Sequence, residues 1–297
     1  MKYFKSIIIC LTIPLIMFAS STKEIKSLTL HVEKTTLNLD ENTTLHVRAT
    51  YSDNTTKDIT NEVEWITTPT ASVTIKANTL IATKDINTTL QAKLNDKLSQ
   101  TINLQLYWEV VGHKLPPQPD KTLNDSTLLG IDVNDNGVRD DVERWIYTTY
   151  NTYIPCTLKE IKVTIDNGNV VTAHEEICED KAVPYHQIVR EIGMQGARAS
   201  QIIIQEPEKA RETTHLMDAA QGCNTYFSNR ADRYNEPVLV NHLVIGKEFD
   251  AIQFNTVQRA RAYGKYNFAL SGGVYRMPSG MQMRQNCDFN VNKFLGK

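Results

Sequence analysis

The chain reads as a multidomain protein, an N-terminal all-β sandwich followed by a mainly α-helical, disulfide-stapled C-terminal domain. Three observations predict this. Residues 25–107 alternate apolar and polar side chains in short runs broken by Asn, Asp and Pro, the period of half-buried strands. From Val183 onward the apolar spacing becomes that of helices packed on one face. Four of the five cysteines lie beyond residue 150, so bridges are expected only in the second unit.

Lys2 and Lys5 precede an apolar run from Ile7 to Phe18, and Ala19-Ser20-Ser21 supplies small residues where a signal peptidase cuts. Residues 1–21 are therefore expected to be a signal peptide, and the chain to be exported to the periplasm, cell surface or exterior. No later stretch is apolar enough to cross a bilayer, so no transmembrane span is expected after cleavage. Cys10 sits inside the run and not at its end, which argues against a lipid anchor. Of 32 Lys and Arg, Lys2 and Lys5 leave with the leader, so 30 basic residues face 34 acidic ones. Nucleic acid is not expected as a partner of such a chain. About 275 mature residues exceed the usual single-domain length, so division is expected.

Residues 22–108 form the first unit. Leu28, Leu30 and Val32; Leu37 and Leu39; Leu45, Val47 and Ala49; Val73 and Ile75; and Ile102, Leu104 and Leu106 each keep a period of two, leaving one face for a core. Trp65 is expected at the centre of that core. The order Ser27-Leu28-Thr29-Leu30, Ala49-Thr50-Tyr51-Ser52-Asp53, Asp58-Ile59-Thr60-Asn61 with Trp65 after it, then Leu80-Ile81-Ala82-Thr83, resembles the bacterial immunoglobulin-like group 2 domain. The Asp-Ile-Thr-Asn run followed by Trp65 is the most specific part of the likeness. The resemblance implies an immunoglobulin-like sandwich acting as a spacer or surface-recognition unit in exported proteins, without chemistry of its own. The family usually has a glycine shortly before the Leu-Ile-Ala segment. Ala77-Asn78-Thr79 stands there in this chain, and Asn78 is expected to supply the positive φ.

Residues 109–127 read as a linker stiffened by Pro116-Pro117 and Pro119. The second unit, 128–297, opens on Asp132-Val133-Asn134-Asp135-Asn136-Gly137-Val138-Arg139-Asp140-Asp141-Val142-Glu143. Oxygen-bearing side chains occupy positions 1, 3, 5, 9 and 12 of this stretch, with glycine at 6. A hard cation takes about six to eight oxygen ligands. Calcium is therefore expected on Asp132, Asn134, Asn136, the Val138 carbonyl, Asp140 (directly or through water) and bidentate Glu143. Val142, Trp145, Ile146 and Tyr150 continue at helical spacing, so a helix leaves the site and no full helix enters it. The segment resembles half of an EF-hand, like the loops of dockerin and thrombospondin type 3 repeats, which implies a structural calcium ion. Arg139 stands at position 8, where an aliphatic residue normally joins paired loops. A solitary loop is expected to bind weakly, with Kd on the order of 10⁻⁴ to 10⁻³ M. The competing account is an acidic helix start, with Asp140, Asp141 and Glu143 at the positive end of the dipole. That account does not call for Asn134, Asn136 and Gly137.

Cys156, Cys178, Cys223 and Cys287 are an even set in an oxidising compartment, with three pairings open. Runs from Ile161 to Ile165 and from Val170 to Ala173 flank a turn centred near Asn167, from which Cys156 and Cys178 are each eleven residues distant. Folding that hairpin favours Cys156 with Cys178, leaving Cys223 for Cys287. Ile188, Ile192, Ala199 and Ile202 make one helical stripe. A second helix opens at Pro207, with Leu216, Ala219, Ala220, Cys223 and Phe227 on its inner face, and a third is expected from about Asp250 to Leu270.

No catalytic constellation is legible. His174, His186, His215 and His242 lack the spacing of a helical zinc site, and Ser271-Gly272-Gly273 and Ser279-Gly280 lack the context of a hydrolase nucleophile. Residues 257–297 hold Arg259, Arg261, Lys265, Arg276, Arg284, Lys293 and Lys297 against Asp288 alone, interleaved with Tyr263, Tyr266 and Tyr275. This tail suits an anionic glycan, or else it neutralises Glu175, Glu176, Glu179 and Asp180. The expectation is an exported calcium-binding protein that binds or supports a partner, an unknown protein or an anionic glycan, in preference to an enzyme. The alternative is a secreted hydrolase with its active site in the helical domain, using His186, His215 or His242 with a carboxylate. A third class is an envelope scaffold using strand addition at the sandwich edge.

Overall fold

A computed structural model describes residues 23–166, 168–274 and 278–297. The expected signal peptide lies outside the described residues, as do Asn167, Tyr275 and Arg276.

The first region is β-rich. One sheet orders β1 (Ile25–Val32), β3 (Asn42–Tyr51), β7 (Thr79–Ala82) and β6 (Val73–Lys76), with β4 (Thr56–Asp58) also paired to β3. The other orders β2 (Thr36–Asn38), β10 (Ile102–Tyr107), β8 (Thr88–Leu94) and β5 (Glu64–Thr68), with β9 (Lys97–Leu98) on β8. The β2–β10 pairing is parallel and the others are antiparallel. Successive side chains on a strand point to opposite faces. Leu28, Leu30 and Val32 of β1 thus meet Leu45, Val47 and Ala49 of β3 in one core with Leu37, Leu80, Leu90 and Leu104. Trp65 does not stand at its centre. It belongs to β5, an edge strand, and is only partly buried, while Leu37, Leu45, Leu80 and Leu90 are fully enclosed. The positive φ before Leu80 falls on Ala77, at 51°, and not on Asn78.

The second region is mainly helical and carries both bridges. The stretch expected as linker contains a short ladder, β11 (Glu109–Val110) with β12 (His113–Lys114), and then α1 (Lys121–Ser126), capped by the Asp120 side chain. Val110 and Leu115 are buried in the helical core, so this stretch packs as part of the second unit. The Asp132–Glu143 segment runs directly into α2 (Asp140–Thr149), which is followed by a pair of short strands, β13 (Thr152–Tyr153) and β16 (Val183–Pro184). Between them projects a hairpin of β14 (Cys156–Thr164) and β15 (Val170–Cys178), with Cys156 directly opposite Cys178. The remaining helices are α3 (Gln187–Gln205), α4 (Ala210–Asn229), α5 (Lys247–Gln253), α6 (Val257–Leu270), α7 (Met281–Gln285) and α8 (Val291–Phe294).

Disulfides join Cys156 to Cys178 and Cys223 to Cys287, the second tying α4 to the chain just beyond α7. The core gathers Val138, Val142, Ile146, Ile188, Ile192, Phe227 and Phe249. Close approach is built into α3: a Cβ at Gly193 would lie 2.9 Å from Ile146, and one at Gly196 would lie 2.6 Å from Ile245. Two details differ from the helical reading. Ile202 faces outward, and Ile203 and Ile204 take the inner positions. The expected third helix is two, because Thr256 caps α6 by accepting from the Arg259 amide and so separates it from α5. Among the described residues no helix is long and apolar enough to cross a membrane.

Candidate functional site

Local sequence shapes the Asp132–Glu143 loop. The Asp132 carboxylate accepts from the Gly137 amide at 2.9 Å and the Asn136 amide at 3.3 Å, and Asn136 Oδ1 accepts from the Val138 amide at 2.8 Å. Side chains this short readily close such turns on their own backbone. Gly137 has φ 79° and Asp135 φ 53°, so the chain turns sharply at just these two residues. Val138 and Val142 anchor the end of the loop in the helical core.

Two carboxylates are sealed inside this turn. Asp140 and Glu143 are both 0% exposed. Glu143 is richly bonded: His113 Nε2 lies 2.6 Å from Oε1, while the Asn136 and Asn134 side-chain amides donate to Oε2 at 2.6 and 3.2 Å. Burial pushes its carboxyl upward, but the bonds from His113, Asn136 and Asn134 outweigh burial and hold it below the usual range. Asp140 is poorly matched. Its Oδ1 accepts from the Val133 amide at 3.1 Å, and its Oδ2 has no partner. Burial, reinforced by the charges of Asp132, Glu143 and Asp141, pushes its carboxyl up to about 6.

Arg139 explains how a single loop is held. Fully buried, it pairs with Asp141 and donates to the Ile252 and Gln253 carbonyls at 2.7 and 3.0 Å, at the C-terminal end of α5. The position that would join a second loop instead fastens this one to a helix end. Gly130 lies flat against the Arg139 stem, where a Cβ would come within 2.3 Å of Cδ.

The loop's donor set is mixed. Among the described residues, the group of three His, Cys, Asp or Glu with donor atoms within 4.8 Å of one another is Cys156, Glu176 and Cys178. Its sulfurs form a disulfide, so it offers one carboxylate and no thiolate. The loop carboxylates are not gathered that closely, and its other oxygens come from amides and the backbone.

His113 carries no local signal in the sequence. It lies thirty residues before Glu143, stacks on Tyr147 with ring centroids 4.1 Å apart, and no spacing rule could have pointed to it. The other singled-out histidines are dispersed. His186 caps α3, His215 bonds the Glu212 carbonyl, and His242 stacks on Tyr150; His174 lies on the exposed hairpin. Among the hydrogen bonds these rings make are those of His186 with the Ile188 amide, His215 with the Glu212 carbonyl and His242 with Asn241 Oδ1.

Three of the six described basic residues of the tail are spent internally, on acids other than those expected. Arg259 is fully buried and donates to the Leu128, Asn124 and Thr127 carbonyls and to Asp125. Arg284 and Lys297 both bind Glu236. Of the others, Arg261 and Lys265 line a groove with Glu208 and Phe268.

A scan of protein-family models finds none that matches this chain, and a search of curated proteins finds no match. Its own geometry therefore carries the functional reading.

Proposed function

We propose that this chain is an exported calcium-binding structural or binding protein. In this reading a bacterial immunoglobulin-like module and a disulfide-stapled helical domain meet at a loop of the half EF-hand kind. The partner it serves is a protein or an anionic glycan, for which the Arg261 and Lys265 groove provides basic groups beside an apolar ring.

The observation that carries the reading is Asp140 Oδ2, a carboxylate oxygen with no partner in a side chain closed to water, facing the charges of Asp132 and Glu143. Buried carboxylates are costly unless paired or bound to a metal. A divalent cation would offset two of these three negative charges, held by Asp132, Asn134, Asn136, the Val138 carbonyl, Asp140 and Glu143. The amide NH₂ groups of Asn134 and Asn136 now satisfy Glu143. A half-turn of the Asn134 amide presents oxygen instead, because which way an amide faces is an assignment from hydrogen bonding, whereas the Asn136 amide is oriented by the bond its Oδ1 accepts from the Val138 N–H. Calcium suits this hard, oxygen-rich set, and its role would be to hold the loop and the start of α2 together. Nothing in the arrangement calls for a moving helix pair.

The deciding experiment is thermal unfolding of residues 22–297 in EDTA and in millimolar calcium, beside Asp132→Ala and Glu143→Ala. With Kd near 10⁻⁴ to 10⁻³ M, 10 mM calcium should stabilise by about 1 to 3 kcal/mol. Both variants should lose that gain. Equal melting with and without calcium would reduce the loop to an acidic helix start.

A further inference from the structure

We propose that His113 is a positioning residue through which calcium on the loop and the seating of the 109–117 segment strengthen each other. The inference rests on the calcium reading above and adds a coupling between the ion and the junction of the two units.

His113 belongs to neither the loop nor α2. It lies on β12, in the short ladder that joins the β-rich region to the helices. Its ring is fixed from below by Tyr147, stacked at 4.1 Å and 15°. From that seat Nε2 reaches Glu143 Oε1 at 2.6 Å, the carboxylate expected to be the bidentate ligand. A neutral imidazole with its proton on Nε2 donates there, and it meets a better-placed acceptor when a cation holds the same carboxylate in one orientation. Carboxylate ligands are normally oriented by such outer partners, whose loss costs about 10- to 100-fold in metal affinity.

The segment that carries His113 is seated by contacts independent of the ion. Val110 and Leu115 are buried against the helices, and the Leu115 amide donates to the Trp108 carbonyl at 2.8 Å. Arg144, one residue beyond Glu143, donates to the Pro116 carbonyl at 2.8 Å and lies over the Trp108 ring at 5.1 Å. The same turn of α2 thus holds the loop's last ligand and a grip on the segment leading from the β-rich region. An ion that fixes Glu143 fixes the acceptor of His113. By linkage, a seated His113 must then raise ion affinity by the same factor.

The test compares the full mature chain with His113→Phe, which keeps a ring on Tyr147 but loses the donor, and with His113→Gln, which restores an N–H. Calcium affinity is read by titration calorimetry, and seating by proteolysis of residues 109–119 with and without calcium. His113→Phe should weaken calcium binding about tenfold or more and abolish the calcium protection of the segment, and His113→Gln should recover much of both. A merely structural His113 would lower melting in EDTA and leave calcium affinity alone. Unchanged affinity in His113→Phe, with wild-type binding intact, overturns the coupling only; absent binding in the wild type overturns the calcium reading and the coupling together.

Discussion

Arg144 of α2 forms a buried ion pair with Asp85, which lies between β7 and β8, so a helix of the second unit grips the β-rich first one. Both side chains are below a tenth exposed, and Arg144 also binds the Pro116 carbonyl and covers Trp108. Removing one partner of such a pair strands the other charge, at a cost of about 3 to 5 kcal/mol. Asp85→Ala should therefore separate urea unfolding into two transitions and shift Trp108 emission to the red. A single transition of wild-type midpoint would mean that the pair contributes little to joining the units.

The two bridges should behave differently on removal. Cys223–Cys287 closes 64 residues and ties α4 to the C-terminal segment, so its loss should cost about 4 kcal/mol on chain-entropy grounds. Cys156–Cys178 closes 22 residues of an exposed hairpin, for which the same reasoning gives about 3 kcal/mol, felt mainly within the hairpin. Paired Cys→Ser substitutions followed by calorimetry should lower the main transition for the first bridge and chiefly increase hydrogen exchange in β14 and β15 for the second. The β-rich unit, without cysteine among its described residues, should be spared in both.

Glu236 makes stability depend on acid. The Arg284 guanidinium, bonded at 2.8 and 2.9 Å, outweighs burial and with Lys297 and Tyr226 holds its carboxyl down to about 2. A depressed folded value contributes stability that is complete above the ordinary value of 4.5 and is lost as pH falls toward 2. The contribution is about 3 kcal/mol. Acid unfolding of the helical region should steepen in that window, and Glu236→Gln should flatten it. An unaltered acid limb in that variant would place the sensitivity elsewhere.

Two glycines offer opposite outcomes for one substitution. At Gly130, φ is 71°, and a Cβ would stand 2.3 Å from Arg139 Cδ and 2.6 Å from Asn124 Oδ1. Gly130→Ala should cost about 2 to 5 kcal/mol through strain and displacement of the buried Arg139. Gly264 lies inside α6 with nothing within 4 Å of a Cβ, so Gly264→Ala should stabilise by about 0.5 to 1 kcal/mol. Comparable melting shifts in the two proteins would contradict the packing described around Arg139.

What this sequence determines alone is what short spacing can encode. The alternation of Leu28, Leu30 and Val32 makes β1 one-faced, and the symmetric runs about Asn167 set Cys156 opposite Cys178. The twelve-residue spacing brings Asp132 and Gly137 into one turn. These relations are local, so geometry within one element suffices to fix them. Tertiary structure alone decides the pairs that span the chain. His113 meets Glu143 across thirty residues, Arg144 meets Asp85 across 59, and Arg259 reaches Asn124 across 135. It also sets Trp65 at a sheet edge and turns Arg259 and Arg284 of the basic tail inward, because strand order and helix docking determine which buried charges find partners. Composition revealed those charges without their destinations, since an arginine bound to a distant carbonyl and one bathed in water read alike until the chain has folded back on itself.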